Sequence, residues 1–262
     1  MNYLDKIIAH KKAEVAKNKQ KVKRKELEET EFFTLPVRSL RESVLSKQFG
    51  VIAEIKRKSP SKGIINANLN TMETAVQYEK AGAAGISVLT DNHFFGGTNA
   101  DLISVRNSVQ IPVLRKDFII DEYQVFEAKS IGADCILLIA EALEKDYLHE
   151  LALIARSLGM EVLLEIHSAS ELSKLNTEIS LLGVNNRNLT TQEVSLNNSR
   201  ELFPYLPKDL PLISESGLKT SKDVQEMYEI GFNGALIGTS IVQQEHPGEF
   251  LTALQQFQKV SL

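Results

Sequence analysis

Five short apolar runs in this sequence finish in charged or amide side chains. They are Val51-Ile52-Ala53-Glu54-Ile55-Lys56, Val113-Leu114-Arg115-Lys116, Val162-Leu163-Leu164-Glu165, Val184-Asn185-Asn186-Arg187 and Ile213-Ser214-Glu215. An unpaired charge is very costly to bury, so charge repeated at the same end of successive apolar runs marks a site. Residues two apart on a strand share a face, roughly 7 Å apart along it. Glu54 therefore projects with Lys56, and Asn185 with Arg187 if that strand extends far enough. By the same alternation Arg115 and Asp117, which flank Lys116, point away from it as structural salt-bridge partners. Ammonium and carboxylate groups around one small ligand can do general acid–base work, each positioned group contributing about 10²–10⁴ in rate. A lysine beside another lysine has its charged form disfavoured, so its pKa is expected to fall.

A second kind of chemistry is suggested by Ser214-Glu215-Ser216-Gly217-Leu218 and Leu236-Ile237-Gly238-Thr239-Ser240. Small residues let backbone N–H groups approach an anion, and hydroxyls add donors. Ser216, Gly217, Gly238 and Thr239 are thus candidate phosphate ligands, with Ser59 of Lys58-Ser59-Pro60-Ser61-Lys62-Gly63 closing the clamp from a third side. His93, ahead of Phe94-Phe95, reads as a surface histidine. The one cysteine, Cys135, can form neither an internal disulfide nor a metal cluster, and its place in Cys135-Ile136-Leu137-Leu138-Ile139 reads as a buried thiol.

The elements that must hold these groups alternate from Gly50 onward. Strands are expected at Val51–Lys56, Gly85–Leu89, Pro112–Lys116, Cys135–Ile139, Glu161–Glu165, Leu181–Asn185, Pro211–Ser214 and Gly234–Ile237. Each is short and rich in Val, Ile and Leu, as a strand buried on both faces should be. Helices are expected at Met72–Ala81, Asn99–Ser108, Glu122–Ile131, Glu144–Leu158, Ser170–Leu175, Asn197–Phe203, Ser221–Ile230 and Pro247–Phe257. Parallel strands need crossovers, and eight such units predict an α/β fold, a single (β/α)8 TIM barrel; an open doubly wound sheet is the alternative. Barrel active sites sit at the carboxyl ends of the strands, alternate strands contribute to one layer, and phosphate is often held after the last two strands. Lys56, Lys116 and Glu165, ending the first, third and fifth strands, are thus expected to converge on one small ligand.

Residues 1–49 read as an N-terminal helical extension of a single domain spanning 1–262, with the barrel complete from Val51. Its stretch Asp5–Glu31 reads as helix dense in lysine (Lys11, Lys12, Lys17, Lys19, Lys21, Lys23 and Lys25, with Arg24) but interleaved or followed by Glu14, Glu26, Glu28 and Glu29, as on a solvated face. With 43% hydrophobic and 24% charged residues the composition is that of a soluble globular protein with a core, and a net charge of −4 argues against a whole-protein nucleic-acid binder. No apolar stretch approaches the roughly 20 residues that span a bilayer, and Met1-Asn2-Tyr3-Leu4-Asp5-Lys6 has no secretory signal pattern. A cytoplasmic protein without a membrane partner is expected.

Taken together, several stretches resemble the indole-3-glycerol-phosphate synthase family. Ala53-Glu54-Ile55-Lys56-Arg57-Lys58-Ser59-Pro60-Ser61 looks like its first-strand signature. Leu114-Arg115-Lys116-Asp117-Phe118-Ile119, Leu164-Glu165-Ile166-His167, Gly183-Val184-Asn185-Asn186-Arg187-Asn188-Leu189 and Ser214-Glu215-Ser216-Gly217 are similar to its other strand-end motifs, in the family's order across about residues 50–242. The resemblance implies ring closure, with loss of CO₂ and water, of 1-(2-carboxyphenylamino)-1-deoxyribulose 5-phosphate to indole-3-glycerol phosphate, without cofactor or metal, in tryptophan biosynthesis. It implies Lys116 as general acid and Glu165 as general base, assisted by Lys56 and Glu54, with Lys56 facing the substrate carboxylate or donating a later proton. It further implies that Asn185, Arg187 and Glu215 orient intermediates, that Ser59, Gly217, Gly238 and Thr239 hold phosphate, and that Phe95, Phe118 and Leu138 wall the aromatic ring. A monomer or weak homodimer is expected, and no fused isomerase. Asn188, where the family pattern leads one to expect aspartate, and Thr239, where serine or glutamate is common, depart from it. Related phosphate-binding barrel isomerases favour a cysteine–aspartate or paired-aspartate set, which these strand ends lack, and a catalytically silent barrel would be expected to have lost the charges.

Overall fold

In the computed structural model, which describes residues 3–60, 62–188 and 191–256, the eight apolar runs become eight parallel strands closed on themselves. Ser61, Leu189 and Phe257 lie outside the described residues. The strands are β1 (Gly50–Ile55), the two-residue β2 (Lys58–Ser59) and β3 (Gly63–Ile64), β4 (Gly85–Leu89), β5 (Val113–Lys116), β6 (Cys135–Ile139), β7 (Glu161–Ile166), β8 (Leu181–Asn185), β9 (Leu212–Glu215) and β10 (Gly234–Ile237). β2 and β3 form a separate hairpin, and the other eight follow the order β1-β10-β9-β8-β7-β6-β5-β4, with β4 returning to β1. The open-sheet alternative is thereby excluded.

Pleat alternation divides the strand residues into two layers. Ile52, Leu114, Cys135, Leu137, Ile139, Leu163, Leu181, Ile213 and Leu236 pack together within one cluster, the barrel interior. Val51, Ala53, Ile136, Leu138, Val162, Leu164, Val184 and Ala235 belong to the larger cluster shared with the surrounding helices. Those helices include α5 (Thr71–Lys80), α6 (Asn92–Phe95), α7 (Asn99–Ser108), α8 (Glu122–Ser130), α9 (Lys145–Ser157), α10 (Asn197–Leu202), α11 (Ser221–Ile230), α12 (Thr239–Val242) and α13 (Pro247–Gln255). The stretch expected as a helix at Ser170–Leu175 is a 3₁₀ turn, Ala169–Lys174. The single-turn α6 and α12 and the β2–β3 hairpin carry too few residues for a sequence period to reveal them.

The amino-terminal segment differs most from its sequence reading. It is four helices: α1 (Tyr3–Lys21), α2 (Arg24–Glu28), α3 (Glu31–Thr34) and α4 (Leu40–Leu45). Leu4 and Ile7 of α1 and Leu40 and Val44 of α4 all join the barrel-interior cluster. At α4, Gly50 and Gly85 open two strands without a side chain; a Cβ on Gly50 would press on Val44 at 2.9 Å and one on Gly85 on Leu40 at 2.6 Å. All eight barrel strands lie from Gly50 onward, and α4 packs against the end where they begin, a contact the sequence reading did not anticipate. The lysine-rich face is solvated as expected at Lys12, Lys17, Lys19, Lys21, Lys23, Arg24 and Lys25, all exposed, but not at Lys11, which is fully buried. No helix among the described residues is long and apolar enough to cross a membrane.

Candidate active site

The carboxyl ends of the strands surround a cavity of about 660 Å³. Glu54, Lys56, Lys116, Glu165, Asn185, Arg187 and Glu215 all line it, as do Ser59, Phe95, Phe118, Ser216, Gly217, Gly238 and Thr239. Strand register brings the polar groups to one level: Glu165 on β7 lies opposite Gly183 on β8, and Asn185 opposite Glu215 on β9. A Cβ on Gly183 would collide with Oε1 of Glu215, so the glycine makes room for that carboxyl.

At the centre, Lys116 Nζ lies 2.7 Å from Glu165 Oε2 and 3.4 Å from Glu215 Oε2. Asn185 Nδ2 donates to the other oxygen of Glu165 at 2.9 Å. Burial alone would lower the lysine pKa, but Glu165, Glu215 and Glu54 hold it well above the ordinary value. The expected fall is thus corrected: carboxylates, not a second lysine, dominate the surroundings of Lys116. Burial also opposes the charge on Glu165, yet Lys116 and His167 keep its carboxyl well below the usual range. Glu215 goes the other way: burial, with Glu165 alongside, pushes it up to about 8 in spite of Lys116. Its Oε1 has no hydrogen-bond partner among the described residues. Two neighbouring carboxyls in opposite protonation states are the arrangement that acid–base chemistry uses.

Glu54 and Lys56 share a face of β1 and its continuation, and their side chains pair at 2.5 Å. Gly238 stands over Glu54, where a Cβ would collide with its carboxylate. The strand ends at Asn185, as expected, so Arg187 does not continue its face; it lies in the following loop, bridged to Val194, with its amide donating to Asn185 Oδ1 at 3.0 Å. Burial lowers the pKa of its guanidinium despite Glu54.

The phosphate candidates lie where the last two barrel strands end. Ser216 and Gly217 after β9 both have positive φ, 67° and 90°. Buried Asn186 anchors this loop, donating to Ser214 Oγ at 3.0 Å and to the Ser216 carbonyl at 3.1 Å. Gly238 and Thr239 begin the short α12, and Ser240 Oγ ties it to the Leu218 carbonyl at 2.9 Å, joining the two loops.

One wall residue is corrected. Leu138 does not face the cavity; it points outward into the helix layer, while its neighbours Leu137 and Ile139 line the site. Alternation from Cys135, buried in the interior, would have placed them there. Phe95 and Phe118 do meet at the cavity, with ring centroids 6.0 Å apart. His93 is exposed and stacks on His10, and exposed Asn188 turns the loop by accepting from the Thr191 amide at 2.9 Å.

Sequence reasoning missed α1 as part of the site: Tyr3 and Ile7 line the cavity. Lys11 on the same helix pairs with Asp91 at 2.8 Å and Asp117 at 3.0 Å. Asp91 caps α6, which carries Phe95, and Asp117 follows Lys116 directly. Arg115 turns away from the cavity as expected, to Asp117 at 3.1 Å and Glu127 at 2.6 Å.

Comparison with known proteins agrees with this architecture. Residues 4–254 match the family model described as indole-3-glycerol phosphate synthase. The chain is 45% identical over 256 residues to an indole-3-glycerol phosphate synthase from Bacteroides thetaiotaomicron, covering 96% of this chain and 98% of that one. A protein of the same name from Polynucleobacter asymbioticus is 44% identical over 261 residues, with 96% and 98% covered. Among solved structures, 3-hexulose-6-phosphate synthase from Salmonella typhimurium superposes with a TM-score of 0.62 at 11% identity, covering 79% of this chain and 97% of that one, a likeness of fold alone.

Proposed function

The chain belongs to the indole-3-glycerol phosphate synthase family, and from that premise we propose that the Lys116–Glu165–Glu215 cluster is its acid–base centre. The reaction is ring closure, with decarboxylation and dehydration, of 1-(2-carboxyphenylamino)-1-deoxy-D-ribulose 5-phosphate to indole-3-glycerol phosphate, a carbon–carbon lyase step of tryptophan biosynthesis.

The observation that carries the assignment is Lys116 set among buried carboxylates at 2.7 and 3.4 Å on the cavity wall. Ring closure joins the aromatic carbon that bears the carboxylate to the sugar carbonyl carbon, and the carbonyl oxygen must gain a proton as it becomes a hydroxyl. Lys116, kept charged by its neighbours, holds that proton, and a developing alkoxide is a stronger base than an amine. Carbon dioxide then leaves, and its bonding pair restores the aromatic ring. Loss of the new hydroxyl as water needs a proton on the leaving oxygen and a base for the proton given up elsewhere. Ionised Glu165 is suited to be that base, with Glu215, its carboxyl raised, orienting the intermediates beside Asn185 and Arg187. Lys56, charge-balanced by Glu54, faces the substrate carboxylate or supplies the later proton.

The paired loops after β9 and β10, with Ser59 opposite, are assigned to phosphate, and Phe95 and Phe118 to the aromatic ring. The one domain, its residues 1–49 an extension, works in the cytoplasm as a monomer or weak homodimer on a small phosphorylated substrate, without nucleic acid, membrane, metal or cofactor. The test is direct: purified protein given the carboxyphenylamino sugar phosphate should release CO₂ and develop indole fluorescence. A folded protein that leaves the substrate unchanged would overturn the reading.

A further inference from the structure

We propose that His167 is a positioning residue for Glu165, holding its carboxylate in place and ionised while Lys116 is engaged with substrate. This rests on Glu165 being the base. Glu165 ends the inward face of β7, and His167, two residues on, follows on the same side just beyond the strand. His167 Nε2 lies 3.3 Å from Glu165 Oε1, the oxygen that also accepts from Asn185, while Oε2 faces Lys116. The ring is only a tenth exposed and lies behind Glu165, outside the cavity lining. Nδ1 has no hydrogen-bond partner among the described residues, and Nε2 meets Glu165 Oε1, so the ring can act on Glu165 both as a donor and as a charge.

The surroundings of the ring favour its cation. Its Nδ1 lies 3.9 Å from Glu141, on the turn after β6, and 4.0 Å from Glu171, on the turn after β7. Glu171 is also bound to the His167 and Ser168 amides. Glu141 in turn feels Asp5 of α1, and Asn198 of α10 fixes the His167 backbone by donating to its carbonyl at 3.2 Å. Burial lowers the imidazole pKa, but Glu165, Glu171 and Glu141 together raise it above the ordinary value. In the free protein Lys116 is the main cation on Glu165. Once that ammonium turns to the substrate carbonyl, Asn185 and His167 are the groups left on Glu165, and only His167 carries charge. The acid limb of kcat reports pKa values in the substrate complex, so it should report Glu165 as this histidine tunes it. As pH rises, His167 loses its charge where Glu165 is already ionised, and nothing is lost.

The experiment compares His167→Gln and His167→Ala with the unaltered protein in kcat and KM across pH, with thermal melts to verify folding. Glutamine keeps a donor near the position of Nε2 but no charge; alanine keeps neither. KM should stay within about twofold for both, because the ring is outside the cavity lining. The acid limb of kcat should move upward by about half a pH unit or more in both variants, since removing a nearby cation raises a carboxyl pKa. The plateau should be largely kept by glutamine and fall about tenfold with alanine, the loss of one orienting contact of about 1.4 kcal/mol. An unmoved acid limb in folded His167→Gln overturns the inference, as does an undiminished plateau in His167→Ala. Glu165→Gln, run alongside, separates the two ideas: if it stays active, the base assignment itself fails; if it is inactive while the histidine variants behave as wild type, only the role of His167 fails.

Discussion

Lys11 and Asp117 form an ion pair of 3.0 Å in which the lysine side chain is fully buried and the carboxylate only 1% exposed. It joins the first helix to the residue beside Lys116, and through Asp91 to the cap of the helix that carries Phe95. Although burial alone would raise it, Lys11 and Arg115 hold Asp117 down at about 2. The cluster thus fixes a cavity wall and the strand end of the proposed acid from one point.

Lys11→Met should therefore be among the more damaging single changes outside the cavity. Removing one partner of a buried pair costs about 3–5 kcal/mol because the other charge is left uncompensated, and here two carboxylates lose it, with Asp117 keeping Arg115. Thermal melts should show a large fall in Tm, and the protein still folded at low temperature should have raised KM. Unchanged Tm would mean that the aspartates find another cation.

Truncations should distinguish the two ends of the extension. Deleting residues 1–22 removes α1 and hydrates Asp91 and Asp117 instead of stranding them, so circular dichroism should stay largely native while KM rises as Tyr3 and Ile7 leave the cavity. Deleting residues 1–48 also removes Leu40 and Val44 from the interior cluster and should abolish cooperative unfolding. A longer deletion that melts like the shorter one would show that α4 is dispensable.

The barrel and most of the site could be read from the sequence because both obey short periods. Buried strands are continuous apolar runs, and Glu54, Lys56, Lys116 and Glu165 stand out as charges at their ends. The facing of Leu138 is hidden because a continuous apolar run does not show which residues point inward until one of them, such as Ile139 opposite Glu165, is fixed by its neighbour. Lys11 was hidden for the opposite reason: in a helix with many solvated lysines, nothing local marks the one that meets two aspartates far along the chain. The elevated pKa of Lys116 escapes the sequence because Glu165, Glu215 and Glu54 reach it together from three other strands, and their combined field outweighs any neighbouring lysine.

The phosphate clamp is better probed at Ser216 than at Gly238. A side chain on Gly238 would strike Glu54 and so disturb the acid–base groups as well. Ser216 lines the cavity, is only half-buried and has a positive φ that aspartate tolerates, so Ser216→Asp adds a negative charge where phosphate is assigned without that collision. KM should rise at least tenfold, about 1.4 kcal/mol, with kcat changed much less. An unaltered KM in the folded variant would move the clamp elsewhere.

Glu215 gives a stability test whose sign is fixed. Its carboxyl is raised to about 8 in the fold, so between the ordinary carboxyl range and that value the unfolded chain has released a proton that the folded one retains. Stability from this group is thus present at low pH and lost as pH rises, with a slope of at most about 1.4 kcal/mol per pH unit for one proton. Glu215→Gln mimics the protonated form and should flatten that decline, so its Tm should gain on wild type from pH 5 to pH 8 (values near the bounds of the carboxyl range and about 8). A Tm difference constant with pH would show that Glu215 is ionised throughout.

Separating the two lysines tests the acid–base assignment most sharply. Lys116 lies against Glu165 and Glu215, whereas Lys56 pairs with Glu54. Lys116→Met should lower kcat by about 10³ or more with substrate still bound, because an interaction made only in the transition state is lost mainly from kcat. It should also take from Glu165 its main cation, leaving that buried carboxylate beside Glu215, and melts should show the cost. Lys56→Met should instead raise KM as well as lower kcat, since this lysine is assigned to the substrate carboxylate. Glu165→Gln, nearly isosteric but unable to accept a proton, should lower kcat with little change in KM. If folded Lys116→Met kept more than about a tenth of wild-type kcat, its contribution would be under roughly 1.4 kcal/mol. That is too little for the proton donor of a ring closure, and the donor would then be Lys56.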